Sequence, residues 1–154
     1  MREKWIVETK KGDFNGLSAK LKVSPLAVRC LMNRGVESEQ EMRSFLYGTL
    51  DDLHDPFTMK GMNEAVQEIV QAREQGRKVA IASDFDCDGI FSAYILWKGF
   101  QRIGLDSEIF TPDRVKEGYG LNRRIVDEAL AGGRDFLVTC DNGIAANEEV
   151  DYAK

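Results

Sequence analysis

The fold of this chain is decided by residues 79–89, which read VAIASDFDCDG. Four apolar residues come first, and they are followed closely by a loop with three aspartates that ends in glycine. A short apolar run of this kind is typical of a buried strand. Residues 90–103 are apolar on nearly all sides and predict a long helix. We therefore expect a strand, a polar loop and a helix in direct succession.

The alternation of strands and helices continues on both sides of this stretch. Upstream, apolar residues recur at helical spacing in 62–75. Downstream, the sequence predicts a second strand at 107–111, a helix at 122–131, a third strand at 135–140 and a helix from 145. This order predicts an α/β fold, a parallel sheet with right-handed βαβ crossovers.

The beginning of the chain has a different pattern and predicts a small, mostly helical lead segment over residues 1–57. Ser24 is predicted to cap a helix through Met32, and Ser38 with Glu41 predicts a capping box for a helix through about Leu46. The same region is predicted to contain an edge strand at 5–7, a loop at 10–16 and a connector at 50–60. We assign residues 58–154 to the α/β domain.

The acidic loop is the strongest functional signal in the sequence. Asp84, Asp86 and Asp88 stand at alternate positions after the first predicted strand, and Gly89 allows a sharp turn. Three unpaired carboxylates this close repel one another, so a hard cation such as Mg²⁺ or Mn²⁺ is the simple remedy. In open α/β sheets, ligands bind beyond the carboxyl ends of the strands, where this loop lies.

Two other kinds of site are rejected and one stays open. An EF-hand requires a bidentate glutamate at the twelfth loop position, which is Ile95 here, and a helix before the loop. A dinucleotide site requires a glycine-rich turn, and the acids would repel a pyrophosphate. The open alternative is that the aspartates cap the next helix and face solvent.

Two further loops are predicted at the same edge of the sheet. The loop after the second strand contains Arg114, Lys116, Gly118 and Tyr119, which suit a phosphate-bearing substrate, and Asp141 follows the third strand. Taken singly, the loop after the second strand fits an ordinary loop, and Asp141 fits a turn or cap residue. Together the three loops favour metal-assisted phosphoryl hydrolysis, in which metals polarise a phosphate oxygen and activate water.

Composition limits the classes of protein to which this chain can belong, but it does not select one function. The net charge of −5 does not favour a nucleic-acid partner, but bound cations reverse the local field where acids cluster. Three widely spaced cysteines fit reduced thiols in a cytoplasmic protein, and Cys87 and Cys140 are expected to be small buried hydrophobes. His54, the single histidine, is expected to be structural or solvated. No apolar run approaches the roughly 20 residues of a membrane helix.

Several motifs in this order resemble the DHH phosphoesterase superfamily, and within it the RecJ-type exonucleases. They read DFDCDG at 84–89, EGYGL at 117–121 and TCDNGI at 139–144. The stretches LMNRG at 31–35 and DLHDPF at 52–57 also look like the RecJ-type lead segment. The resemblance therefore covers nearly the whole chain.

The resemblance implies a metal-dependent 5′→3′ exonuclease that degrades single-stranded DNA in repair and recombination, with Mn²⁺ or Mg²⁺ as cofactor. By motif, Asp84, Asp86, Asp88 and Asp141 would be metal ligands or their neighbours. The motif match is firmer for three of these four aspartates, and they would be the catalytic set: Asp86, Asp88 and Asp141. The loop from Arg114 to Tyr119 would lie beside the cleft. Single-strand-binding proteins and helicases are partners that the family implies.

The sequence departs from the family in lacking the Asp-His-His motif. We expect a truncated domain with weak metal binding, little or no activity alone, and an open sheet edge that favours self-association. Two alternatives remain. One is a DHH-family phosphoesterase for short oligonucleotides, cyclic dinucleotides or polyphosphate. The other is a non-catalytic module that binds a cation or a protein.

Overall fold

The computed structural model describes residues 3–6 and 10–154, which fall into two compact units. The helical unit ends at Met59, and the α/β unit spans Lys60–Lys154. The edge strand predicted at 5–7 includes Val7, which lies outside the described residues. Trp5 and Ile6 are exposed and have no regular secondary structure.

The helical unit consists of three short helices followed by two 3₁₀ turns. The helices are α1 (Phe14–Leu21), α2 (Pro25–Asn33) and α3 (Glu39–Tyr47), and the turns are Leu50–Asp52 and Pro56–Thr58. The two predicted caps are confirmed. Ser24 accepts a hydrogen bond from the Ala27 backbone N–H (3.2 Å), and Ser38 forms a reciprocal capping box with Glu41.

The helix α1 is a correction to the loop predicted at 10–16. The Asp13 carboxylate accepts a hydrogen bond from the Gly16 backbone N–H (2.8 Å), which starts the helix at Phe14. Its last residue, Leu21, is buried. This side chain joins a core with residues of α2 and α3, namely Val28, Leu31, Met32 and Met42. Packing in the folded unit therefore stabilises a helix that has little signal of its own.

The α/β unit begins with α4 (Met62–Glu74) and contains three parallel strands in the order β2-β1-β3. The strands are β1 (Val79–Ala82), β2 (Ser107–Phe110) and β3 (Phe136–Thr139). The helices that follow them are α5 (Cys87–Arg102), α6 (Arg123–Ala131) and α7 (Asn147–Ala153). The predicted α/β fold with a parallel sheet is confirmed.

The central strand β1 is buried along its whole length. Val79 and Ile81 pack on one face with residues of α4 and α5, while Ala82 packs with Leu121 and Ile125. Because Ala82 lies level with the last residues of both neighbouring strands, the three loops that follow start from one edge. No helix in the described ranges is long and apolar enough to cross a membrane.

Candidate metal centre

The loop after β1 is held tightly against the start of α5. The Ser83 hydroxyl donates to the Gly89 carbonyl (2.6 Å), and the Gly89 N–H donates to the Asp86 carboxylate (3.0 Å), which caps α5. A Cβ at Gly89 would lie 2.4 Å from the carbonyl oxygen of Asp84. Only glycine therefore permits this close packing of helix and strand end, which fixes the backbone of both aspartates.

The loop after β3 turns through two residues with positive φ. Asp141 has φ 60° and Gly143 has φ 94°. A Cβ at Gly143 would lie 2.6 Å from the Thr139 hydroxyl oxygen, so this turn also depends on glycine. The Tyr119 hydroxyl donates a hydrogen bond to the backbone carbonyl of Asp141 (2.7 Å) and so connects this loop to the one after β2.

These two loops bring three carboxylates together. Asp84, Asp86 and Asp141 each offer one oxygen, and the three atoms lie within 4.8 Å of one another. Asp84 is 1% exposed, and its Oδ1 atom has no hydrogen-bond partner among the described residues. Leaving such a carboxylate oxygen buried and unpaired is costly. A cluster of hard oxygen donors with a buried unpaired atom fits a divalent cation.

The pKa of Asp141 also supports a divalent cation at this cluster. Partial desolvation, together with the negative charges of Asp86 and Asp88, raises the pKa of the Asp141 carboxyl. A positive ion would oppose both effects because it stabilises the ionised carboxylates.

Asp88 stands apart from the other three aspartates. It is exposed in the first turn of α5, and no oxygen of it belongs to the group of close carboxylates found in the described part of the chain. The helix begins at Cys87 and not near the predicted residue 90, because Asp86 caps it. The geometry therefore favours Asp84 over Asp88 as the third carboxylate, whereas the family motif ranked Asp88 with Asp86 and Asp141. The role of Asp88 stays a prediction.

The loop after β2 presents one cation to this region. The Arg114 guanidinium carbon lies 5.0 Å from the ring centroid of Phe85, the residue between Asp84 and Asp86. By contrast, Lys116 is highly exposed and pairs with Asp113 of its own loop (3.8 Å). Of the two predicted phosphate-binding cations, the structure brings Arg114 against the acidic loop.

An ion pair stabilises the end of the loop after β2. Arg124 of α6 binds the Glu117 carboxylate and lowers the pKa of Glu117 to about 2. The Asp113 backbone N–H also donates to Glu117 (2.7 Å). Gly118 and Gly120, with φ of 78° and 97°, adopt backbone conformations that favour glycine and form the tight turn that carries Tyr119.

Sequence reasoning missed two features of the site and misjudged a third. Both polar side-chain atoms of Asn142 are buried without a partner in the described structure, although sequence reasoning assigned Asn142 no role of its own. Phe85 received no role. Cys87 is exposed, so its prediction as a buried hydrophobe was wrong, because the segment is helical and not extended there. Cys140 packs against the core, and His54 is exposed in the helical unit.

Residues 78–154 match the DHH family, N-terminal domain. The chain belongs to the DHH family. Within this DHH family the chain is 35% identical over 152 residues to the single-stranded-DNA-specific exonuclease RecJ of Bacillus subtilis, which covers 98% of the chain and 19% of that relative. RecJ of Escherichia coli is 33% identical over 132 residues, 84% of the chain and 22% of the relative. The predicted resemblance is confirmed.

Two solved structures agree with the assignment to the DHH family. A crystal structure of exonuclease RecJ bound to manganese matches with a TM-score of 0.57 at 34% identity, covering 61% of this chain and 24% of that one. RecJ from Thermus thermophilus in complex with Mn²⁺ matches with a TM-score of 0.58 at 26% identity, covering 89% and 18%. The chain thus spans about a fifth of the length of the curated relatives it matches.

Proposed function

We propose that this chain contributes a metal-binding part of a DHH-family exonuclease that hydrolyses phosphodiester bonds of single-stranded DNA. The observation that carries the proposal is the group of three carboxylate oxygens from Asp84, Asp86 and Asp141, which lie within 4.8 Å of one another. The similarity to RecJ proteins named for their action on single-stranded DNA supports the substrate class.

The cofactor is Mn²⁺ or Mg²⁺, held by Asp84, Asp86 and Asp141. Carboxylate ligands suit both ions, and the two similar solved RecJ structures contain manganese. When bound, such an ion polarises a phosphate oxygen and makes water more acidic. Asp88 remains close enough to Asp141 to raise its pKa, so it contributes negative potential at the edge of the site.

The loop after β2 binds the substrate. Arg114 stacked on Phe85 keeps guanidinium N–H groups for a phosphate oxygen, and Lys116 adds positive charge from an exposed position. Gly118 allows close approach of the strand to the backbone. Tyr119 is 69% exposed, and its ring offers a face on which a base can stack.

The finer properties follow the family resemblance. We propose 5′→3′ polarity, a role in DNA repair and recombination, and a cytoplasmic location that suits the three free thiols. Single-strand-binding proteins and helicases are proposed partners. We propose the same domain division as the sequence predicts, with a lead segment at 1–57 that precedes the DHH domain at 58–154 in the chain.

The chain by itself is proposed to bind metal weakly and to cleave DNA slowly or not at all. The single histidine, His54, belongs to the helical unit, so residues 60–154 supply carboxylates but contain no imidazole. In the described part of the chain β3 pairs only with β1. Its other edge is open to pairing with a second chain.

The first test is Mn²⁺ binding to the chain itself, followed by electron paramagnetic resonance. We expect saturable binding that Asp86→Asn weakens and that the exposed control Asp151→Asn leaves unchanged. A chain that binds no Mn²⁺, or an Asp86→Asn variant with unchanged affinity, would contradict the metal centre.

The second test concerns the reaction. The chain replaces the matching segment in the Bacillus subtilis RecJ relative, and the chimera is given 5′-labelled single-stranded DNA with Mn²⁺. We expect cleavage that Asp86→Ala and Asp141→Ala abolish. Hydrolysis of a cyclic dinucleotide with intact DNA would instead support the alternative phosphoesterase. Metal binding without hydrolysis of either substrate would support the non-catalytic module.

A further inference from the structure

The Tyr119 hydroxyl contacts the loop that carries Asp141 from a different loop. It donates a 2.7 Å hydrogen bond to the backbone carbonyl of Asp141, not to a side chain. Tyr119 is 69% exposed, so burial does not explain where its hydroxyl lies. The contact joins the loop after β2 to the loop after β3.

Asp141 is a residue whose conformation needs support. Its φ of 60° lies in the left-handed region, which is disfavoured for a residue with a Cβ. Its carboxylate also lies among those of Asp84 and Asp86, which repel it. Strain and repulsion both favour rotation of this peptide out of the cluster, and a hydrogen bond to its carbonyl opposes that rotation.

The loop that carries Tyr119 is built to hold this position. Glu117 is bound by Arg124 of α6 and by the Asp113 backbone N–H (2.7 Å). On the far side, Leu121 is 6% exposed and anchors the chain in the core beside α6. Between these anchors, Tyr119 is flanked by Gly118 and Gly120, both with positive φ. The tyrosine therefore projects from a short, firmly attached turn.

We propose that Tyr119 is a positioning residue for the metal site, which holds the Asp141 carboxylate with those of Asp84 and Asp86 through its hydroxyl. The inference rests on the proposed metal centre. It gives the hydroxyl a task that is separate from base stacking by the ring. It also links the two loops mechanically, so that the loop proposed to bind substrate contributes to metal affinity.

Tyr119→Phe separates the two tasks because it removes the hydroxyl and keeps the ring. Mn²⁺ affinity is measured on the chain by electron paramagnetic resonance. One hydrogen bond of ordinary strength corresponds to a change of about three- to tenfold, so we expect Tyr119→Phe to bind Mn²⁺ about that much more weakly. Tyr152→Phe is the matched control, since Tyr152 donates its hydroxyl to Asp127 (2.9 Å) on α6. We expect wild-type affinity for the control, and equal affinity in wild type and Tyr119→Phe would overturn the proposal.

A second measurement does not depend on metal. The ¹³C signal of the Asp141 backbone carbonyl is recorded without Mn²⁺ in the wild type, Tyr119→Phe and Tyr152→Phe. Loss of the hydrogen bond changes this shift in Tyr119→Phe alone. An unchanged shift refutes the positioning role whatever the metal data show. If the shift changes in Tyr119→Phe but the wild-type chain binds no Mn²⁺, the contact is supported and the proposed metal centre is what fails.

Discussion

Replacing Gly89 with alanine should destabilise the α/β unit at the point where the acidic loop meets α5. The new Cβ would lie 2.4 Å from the Asp84 carbonyl oxygen and 2.7 Å from its carbonyl carbon. Ordinary contact begins near 3.4 Å, so α5 or the strand end must retreat by about 1 Å. Backbone atoms cannot escape by changing rotamer, and the two hydrogen bonds of Gly89 to Ser83 and Asp86 would be distorted as well.

The size of the effect follows from two opposing contributions. Overpacking costs about 1–3 kcal/mol, whereas alanine gains up to about 1 kcal/mol over glycine in a helix. The clash should win, with a net loss of about 1–2 kcal/mol in the free energy of unfolding. Displacement of Asp84 should also weaken Mn²⁺ binding.

The matched control lies in the same helix. A Cβ at Gly99 meets no described atom within 4 Å, and this residue is exposed in α5. Gly99→Ala should therefore stabilise the unit by about 0.5–1 kcal/mol. Urea unfolding can be followed by the fluorescence of Trp97 in α5, in a Trp5→Phe background that leaves one tryptophan. If Gly89→Ala proves as stable as Gly99→Ala, the close packing of helix and strand end is refuted.

Three further variants test the two carboxylates and the aromatic ring that surround the site. Asp141→Asn should raise the thermal stability of the metal-free chain, because partial desolvation and neighbouring carboxylates raise the pKa of this group. The same change should lower Mn²⁺ affinity roughly tenfold or more, since even outer partners of metal ligands are worth that much. Glu117→Gln should remove stability that the wild type has above about pH 4.5 and loses as the pH falls towards 2, measured as urea midpoints across that window, because Arg124 lowers the pKa of Glu117 to about 2. Phe85→Ala should weaken Mn²⁺-dependent binding of a labelled single-stranded oligonucleotide about two- to fivefold by fluorescence anisotropy, as expected for one exposed cation–π contact, and Phe85→Tyr should restore it.

Each of these variants has a control in the chain. Asp151→Asn removes an exposed charge outside the site, Glu68→Gln an exposed carboxylate of α4, and Phe91→Ala an exposed ring of α5. Equal metal affinity in Asp141→Asn and Asp151→Asn would count against Asp141 as a ligand. An acid transition in Glu117→Gln that matches the wild type would exclude Glu117 as its source. A Phe85→Tyr variant as weak as Phe85→Ala would argue against the stacking of Arg114.

The sheet could be predicted from the sequence because its signal is local. The apolar run at 79–82 has the length and bounds of a buried strand, and the elements around it repeat the pattern. The carboxyl ends of parallel strands meet at one edge, so the convergence of Asp84, Asp86 and Asp141 also followed from topology.

What the sequence could not provide depends on exact backbone positions. Asp88 lies outside the group of close carboxylates because α5 begins at Cys87, and a shift of a few residues in a helix start redirects every side chain in its first turn. The hydrogen bond from Tyr119 to Asp141 joins two loops that are distant in the sequence, and no spacing rule predicts it. The helix α1 was missed because burial of Leu21 stabilises it more than its own pattern does.

Because β1 and β3 end at the same level, binding of a cation by their loops would depend on the register in which the two strands pair. Thr139 lies opposite Ala82, and this pairing sets where Asp141 stands relative to Asp84. A slip of one residue would move β3 by about 3.3 Å and turn its side chains to the other face. Such a displacement is comparable with the 4.8 Å within which the three carboxylate oxygens now lie. Metal at a hundredfold excess over its dissociation constant would then favour the correctly paired chain by about 2.7 kcal/mol, so a bound ion would also stabilise the correct strand register.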